Sequence, residues 1–341
     1  MSHQKLISEE TLNWLLDEQE PGVRYKTMSD LLKLPENDPD LILAKQRAHR
    51  EGPIAKILDQ MNPEGYWVEP GPGYLPKYRS SVWSLIMLAQ LGASINQDLR
   101  IEKACRYCLD HTLTEYGQFS ASGTPGSTMD CLQGNLCAAM LDLGVEYHRL
   151  EGAFEWIARS VTGKGVAPMG DTSTPVRYYA GQCGPGFACD SNNKLPCAWG
   201  AVKVMFAFSK LPEMQRTPLI ENAIQQGIDF LFRVDPVTAD YPTWDNRKPS
   251  RNWWKFGFPV FYVTDILQIA EVLVRLGLGS DPRLSNTLTF ISNQQDQKGR
   301  WPLEYDYPGK TWVDFGPKKE ANKWVTLRAA WVLKNFKIEV C

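Results

Sequence analysis

The sequence predicts an all-α fold: one domain over residues 1–341, built as an (α/α)6 toroid in which inner and outer helices alternate around a closed ring. Three observations predict it. A segment occurs twice with identical spacing, Gln60-Met61-Asn62-Pro63-Glu64-Gly65-Tyr66-Trp67 and Gln294-Gln295-Asp296-Gln297-Lys298-Gly299-Arg300-Trp301, both of the form Q-x4-G-x-W. Apolar residues recur at i, i+3, i+4 and i+7 along most of the chain, as in Leu219, Ala223, Gly227 and Phe230. Strand signals are nearly absent. A repeat of this kind is a unit that cannot bury its own faces, so it stacks on copies of itself.

The helical stretches fall into two alternating types. One is strongly apolar on most faces, as expected of helices buried all round: residues 23–34, 78–92, 128–144, 197–211, 260–277 and 322–336. The other is amphipathic: residues 8–19, 41–60, 98–113, 146–160, 218–233 and 282–294. Gly92, Gly144, Pro212 and Gly277 follow the last apolar turns and stop the helices. Six buried and six outer helices close naturally into a double wall, because closure removes the exposed ends.

Composition narrows the function. The chain has 341 residues, 43% hydrophobic and 22% charged, with a net charge of -2. It carries no basic stripe, so it lacks the electrostatic footprint of a nucleic-acid binder. It contains no apolar run long enough for a transmembrane helix and no leader pattern at its start, which sets a cytoplasmic location as the expectation. Homo-oligomerisation is compatible with this surface.

The two Q-x4-G-x-W segments, a degenerate third at Gly117-Gln118-Phe119 and the inner/outer alternation carry a resemblance over nearly the whole chain. The protein resembles the terpenoid cyclase and protein prenyltransferase α/α-toroid superfamily. It looks closest to bacterial members that share Trp14-Leu15-Leu16, Pro21-Gly22-Val23-Arg24-Tyr25 and Lys323-Trp324-Val325-Thr326-Leu327-Arg328. The resemblance implies a structural role for Gln60, Trp67, Gln294 and Trp301 at helix ends. It also implies a functional space in the central cavity, near the N-terminal ends of the inner helices. The acidic Asp-x-Asp-Asp cluster of protonating cyclases and an Asp-Asp-x-x-Asp diphosphate site are both missing from the sequence, which disfavours squalene-type cyclisation and diphosphate ionisation.

Candidate ligand contacts come from aromatic density before the inner helices. Trp254, Phe258, Tyr262, Trp312 and Trp324 are the expected substrate-binding side chains, suited to an apolar or cationic molecule. The competing account is that such aromatics pack the joints between loops and helices. Asp265, Glu304 and Lys323 are the expected catalytic groups. Asp265 opens an apolar helix, where a carboxylate needs a partner, and Lys323 is the nearest cation by repeat position. The bland account of Glu304 is a solvated loop charge. Lys203, in the middle of an apolar helix, reads either as a cavity cation or as a snorkelling side chain.

Cysteine placement is the strongest chemical signal. Cys183, Cys189 and Cys197 form C-x5-C-x7-C in a Gly/Pro/Asn-rich loop, and Cys131 opens a neighbouring inner helix. Four thiolates converging there would hold zinc, with an iron–sulfur cluster as the alternative. Ordinary buried thiols are the competing account, and a nucleophilic Cys131 at a helix N-terminus is a weaker third. Cys105, Cys108 and Cys137 occupy core-like helical positions. The functional expectation is an enzyme acting on a hydrophobic small molecule, isoprenoid-like or aromatic, by lyase, isomerase or cyclase chemistry. The alternative is a non-catalytic toroid that binds a ligand or a protein around a structural metal.

Overall fold

The computed structural model describes residues 7–167, 178–179, 181–245 and 250–336. These form thirteen α-helices joined by long loops. The only paired strands among the described residues are two-residue pieces: β1 (Val166–Ala167) beside β2 (Tyr178–Tyr179), and β3 (Cys183–Gly184) against β4 (Ala188–Cys189). The all-α expectation holds.

The inner wall is α2 (Pro21–Lys26, continued by a π turn over Thr27–Leu31), α5 (Ser81–Gln90), α7 (Asp130–Leu143), α9 (Ala198–Phe208), α11 (Ile266–Leu273) and α13 (Lys323–Asn335). The outer wall is α1 (Glu9–Leu15), α3 (Pro39–Arg50), α4 (Gly52–Leu58), α6 (Leu99–Thr112), α8 (Glu151–Thr162), α10 (Pro218–Leu231) and α12 (Ser285–Asn293). Inner neighbours pack in series, α5 on α7, α7 on α9, α9 on α11, α11 on α13 and α13 on α2. The end of α5 returns to α2, where Gly92 lies against the Tyr25 and Lys26 side chains. The tightest seam is α7 on α9: a Cβ at Gly134 would sit 2.1 Å from the Lys203 carbonyl carbon, so only glycine fits there.

Two helices differ from their expected extents. The outer stretch 41–60 is broken at Gly52, whose φ of 71° and following Pro53 end α3 and start α4. The inner stretch 260–277 becomes helical only at Ile266, because Asp265 is its N-cap.

The repeat performs one mechanical task three times. The Trp67 indole donates to the Ile57 carbonyl at 2.8 Å, at the end of α4, and its backbone N–H donates to Ser81 Oγ at 3.1 Å, in the first turn of α5. Trp301 repeats this with the Ile291 carbonyl at 2.7 Å and Thr326 Oγ1 at 3.0 Å. At the degenerate copy the Phe119 N–H donates to Gln133 Oε1 at 2.9 Å. Gly65, Gly117 and Gly299 have φ of 103°, 90° and 76°, a left-handed turn that lets the loop double back before each aromatic. The tryptophans and the hydroxyls make the joint; Gln60 is exposed and Gln294 half-buried.

Candidate functional site

All six inner helices line one central cavity of about 110 Å³. Its floor is aromatic: Phe258 and Trp324 stack with centroids 4.8 Å apart and planes 4° from parallel. Phe315 meets Phe258 edge-on at 4.8 Å. Gln90, Asn135 and Gln268 supply uncharged polar groups on the wall.

The cavity leads to the C-terminal ends of the inner helices, through a collar of ion pairs. Lys26 bonds Asp30 at 2.7 Å, Lys210 bonds Asp142 at 2.8 Å and Arg275 bonds Glu271 at 3.1 Å. Deeper, Arg328 bonds both Asp265 oxygens, at 3.2 and 3.3 Å, and approaches Glu271 at 3.8 Å. Burial would discharge Arg328, but Asp265 and Glu271 more than offset that and hold its pKa above the usual guanidinium value. Burial likewise opposes the charge on Glu271; Arg275, Arg328 and Lys210 together keep its pKa below the ordinary range.

The N-terminal end of the ring is packed with aromatics among the described residues. The Tyr78 hydroxyl donates to the Tyr262 hydroxyl at 2.9 Å, and Tyr78 packs against Tyr307 at 4.4 Å and Phe261 at 5.4 Å. Lys77 lies over the Tyr262 ring at 4.9 Å. The open space thus faces the opposite way from the N-terminal placement expected from the sequence, because these aromatics fill that end.

Of the expected ligand contacts, Phe258 and Trp324 line the cavity. Tyr262 belongs to the aromatic closure. The Trp254 indole donates to the Val237 carbonyl at 2.8 Å, pinning one loop to another. The Trp312 indole donates to the Arg79 carbonyl at 3.0 Å and Ser84 Oγ at 2.9 Å, beside a separate groove shared with Tyr307 and Phe315.

The expected acid–base groups separate. Asp265 caps α11, accepting from the Gln268 N–H at 2.7 Å and the Gly257 N–H at 3.2 Å. Its cationic partner is Arg328, which corrects the expected pairing with Lys323. Lys323 instead bonds Asp17 and Glu20, each at 2.9 Å, and lies 5.5 Å from the Trp14 ring centroid. The reason is register: Lys323 and Arg328 are five residues apart on α13, so they face different sides. Glu304 accepts the Phe256 N–H at 3.2 Å, outside the cavity wall. Lys203 neither snorkels nor lines the cavity. It is fully buried, donates to Gln268 Oε1, and burial lowers its pKa to about 7 against a partial offset from Asp265.

Cys131, Cys183, Cys189 and Cys197 lie near one another. Antiparallel pairing sets Cys183 opposite Cys189, and the Ala188–Pro196 bridge brings Cys197 to the same hairpin face. The Cys197 thiol donates to Cys189, which with the Ser191 and Asn192 N–H groups lowers the Cys189 pKa to about 6. Cys131 is pushed up to about 12 by burial, with Asp130 and Cys189 adding to the effect. Cys183 faces Asp130 and the Thr128 carbonyl. Among the described residues, no group of three or more His, Cys, Asp or Glu side chains is arranged to hold a metal ion. Cys105, Cys108 and Cys137 are buried in the core.

Lys26, Asp142, Lys210, Glu271, Arg275 and Arg328 went unremarked as site residues in the sequence. The signal was available: all six sit within helical stretches of the apolar type, the same anomaly that singled out Asp265 and Lys203.

No family model matches the chain and no curated protein matches it. Among solved structures, a variant of the type II terpene cyclase MstE from Scytonema, in complex with geranylgeranyl dihydroxybenzoate, is 14% identical over 86% of this chain and 78% of that one, with a TM-score of 0.42. A protein from Actinoplanes is 11% identical over 86% of this chain and 98% of its own, TM-score 0.35. Apo MstE is 12% identical over the same shares, TM-score 0.32. Values this low assign neither family nor activity. No helix among the described residues is long and apolar enough to cross a membrane.

Proposed function

We propose that this protein is an enzyme that takes a small molecule with an apolar, isoprenoid-like or aromatic body into its central cavity and performs lyase, isomerase or cyclase chemistry on it. One observation carries the reading: a single hollow is built from all six inner helices, with a stacked Phe258–Trp324 floor and ionised groups above it. Buried charges on inner helices are costly, and they persist where they serve a cavity. Asp265 acts through Arg328, which reaches the cavity wall. Glu304 and Lys323 lie off that wall, so a catalytic part for them would require a different site. The test is native mass spectrometry of the purified protein for a co-purified molecule, followed by incubation of that molecule with wild type and with Trp324→Ala. Conversion by wild type and loss of binding in the variant are expected. A cavity that retains nothing, and a Trp324→Ala protein that binds as well as wild type, would refute the reading.

The second reading, a non-catalytic binding toroid, is favoured by the complete pairing of Asp265 and Glu271, which leaves no free acid at the floor. A molecule that binds and is returned unchanged would select it. Zinc at Cys131, Cys183, Cys189 and Cys197, with an iron–sulfur cluster as the alternative, is a separate proposal. Elemental analysis of protein purified anaerobically without chelators tests it, and less than about half an equivalent of either metal counts against it.

A further inference from the structure

The ligand's polar end is written in the charge at the cavity mouth. The cavity wall carries four cations, Lys26, Lys210, Arg275 and Arg328, against three carboxylates, Asp30, Asp142 and Glu271. The vestibule outside it, about 280 Å³, adds Lys33 and Lys45 and, among the described residues, no further acid. Asp265, behind the wall, pairs with Arg328, so six cations face four carboxylates along the path inward. The C-terminal ends of the inner helices absorb part of this excess, since they carry partial negative charge.

A second, independent feature is how the rim cations are held. The Lys210 ammonium sits over the Phe206 ring at 4.6 Å, and the Arg275 guanidinium over the Trp331 ring at 4.1 Å. Aromatic faces fix both cations at the rim above the aromatic floor. Lys210 is also under-compensated: burial lowers its pKa, and Asp142 only partly restores it. An incoming negative group would complete its pairing.

Size and charge then select the class. At about 110 Å³ the inner space is smaller than the roughly 150 Å³ apolar cavity that accommodates benzene, so it holds at most one ring, with a short chain rising to the rim. At the rim itself three cations face three carboxylates, so a second negative charge gains no net attraction there while costing more to desolvate.

Resting on the reading of the central cavity as the ligand site, we infer that the ligand is an organic monocarboxylate, its apolar body on Phe258 and Trp324 and its carboxylate between Lys26, Lys210 and Arg275. Calorimetry with the full chain tests this, using three probes that share a body: 3-phenylpropionate, 3-phenylpropan-1-ol and 3-phenylpropylamine. The carboxylate should bind about tenfold tighter than the alcohol and the amine more weakly than either, with the preference shrinking as salt rises. The paired replacement Lys210→Met with Asp142→Asn removes both members of one ion pair. It should keep alcohol binding and most of the helical signal while cutting the carboxylate preference severalfold; Arg275→Gln is the second variant if the first does not fold. Phenethyl phosphate is the dianionic control and should bind more weakly than the propionate. Alcohol or amine binding as tight as the carboxylate, or tighter phosphate binding, overturns the inference and leaves the cavity reading standing. Failure of all the probes at millimolar concentration overturns the cavity reading, and this inference with it.

Discussion

The two ends of the inner ring are built from opposite materials. At the N-terminal end, Tyr78, Phe261, Tyr262 and Tyr307 fill the space, and neutral hydrogen bonds from Trp67 and Trp301 tie outer to inner helices. At the C-terminal end, ion pairs surround an open mouth. The difference teaches where stability and ligand access reside. Apolar packing closes a ring and tolerates salt and pH. Ionised groups hold a ring open, because each head group keeps some solvent or a partner and resists collapse onto its neighbours.

The sharpest test of this contrast is removal of Arg328. Arg328→Met strands Asp265 and leaves Glu271 with Arg275, and breaking a buried pair costs about 3–5 kcal/mol. Urea denaturation should show a loss of that size, with Asp265→Asn smaller because Arg328 keeps Glu271. Equal, negligible losses would mean that the collar carries no structural weight.

At the other end, Trp301→Phe removes the indole donor from the Ile291 carbonyl, which keeps the Gln294 N–H. A loss of about 0.5–1.5 kcal/mol is expected, and Trp67→Phe should match it within error because the geometry repeats. Neither value should move with ionic strength. A strong salt dependence would erase the distinction between the two ends.

Lys203 supplies the pH test. Its pKa is about 7 when folded and higher when unfolded, so the unfolded chain binds more protons between those values. Stability should rise with pH across that window, by at most about 1.4 kcal/mol per pH unit, and stay penalised below pH 7. Wild type minus Lys203→Met, compared at pH 6.5 and 8.5, isolates this slope (test conditions chosen around the value of about 7). A flat difference would show that Lys203 remains charged at Gln268.

The smallest effect belongs to the vestibule. Lys33→Gln, at an exposed position, should change stability by less than about 0.5 kcal/mol. A larger loss would make the vestibule part of the scaffold.

Much of this contrast was legible before any coordinates. The alternation of helix types gave the ring, and the anomaly of a carboxylate at Asp265 marked the right helix. Phe258 and Trp324 were identified with the aromatics around them, yet nothing local distinguished them from Trp254 and Trp312, whose indoles serve as loop ties. The Asp265–Arg328 pair was missed because repeat position aligns helix starts, whereas pairing depends on which face of α13 turns inward. Convergence of the thiols was legible from loop spacing only as proximity; the pairing of Cys183 opposite Cys189 follows from the hairpin register.

By itself, then, the sequence determined the periodic features: an all-α class, six inner and six outer segments, and a glycine-then-tryptophan joint between them. Periodicity and left-handed turns are local properties of the chain, set by neighbouring residues. The tertiary structure decided the rest: which end of the ring is filled, which charges face each other, and which aromatics meet at the floor. Those depend on residues dozens to hundreds of positions apart, such as Lys26, Lys210 and Arg275, meeting at one mouth only when the ring closes.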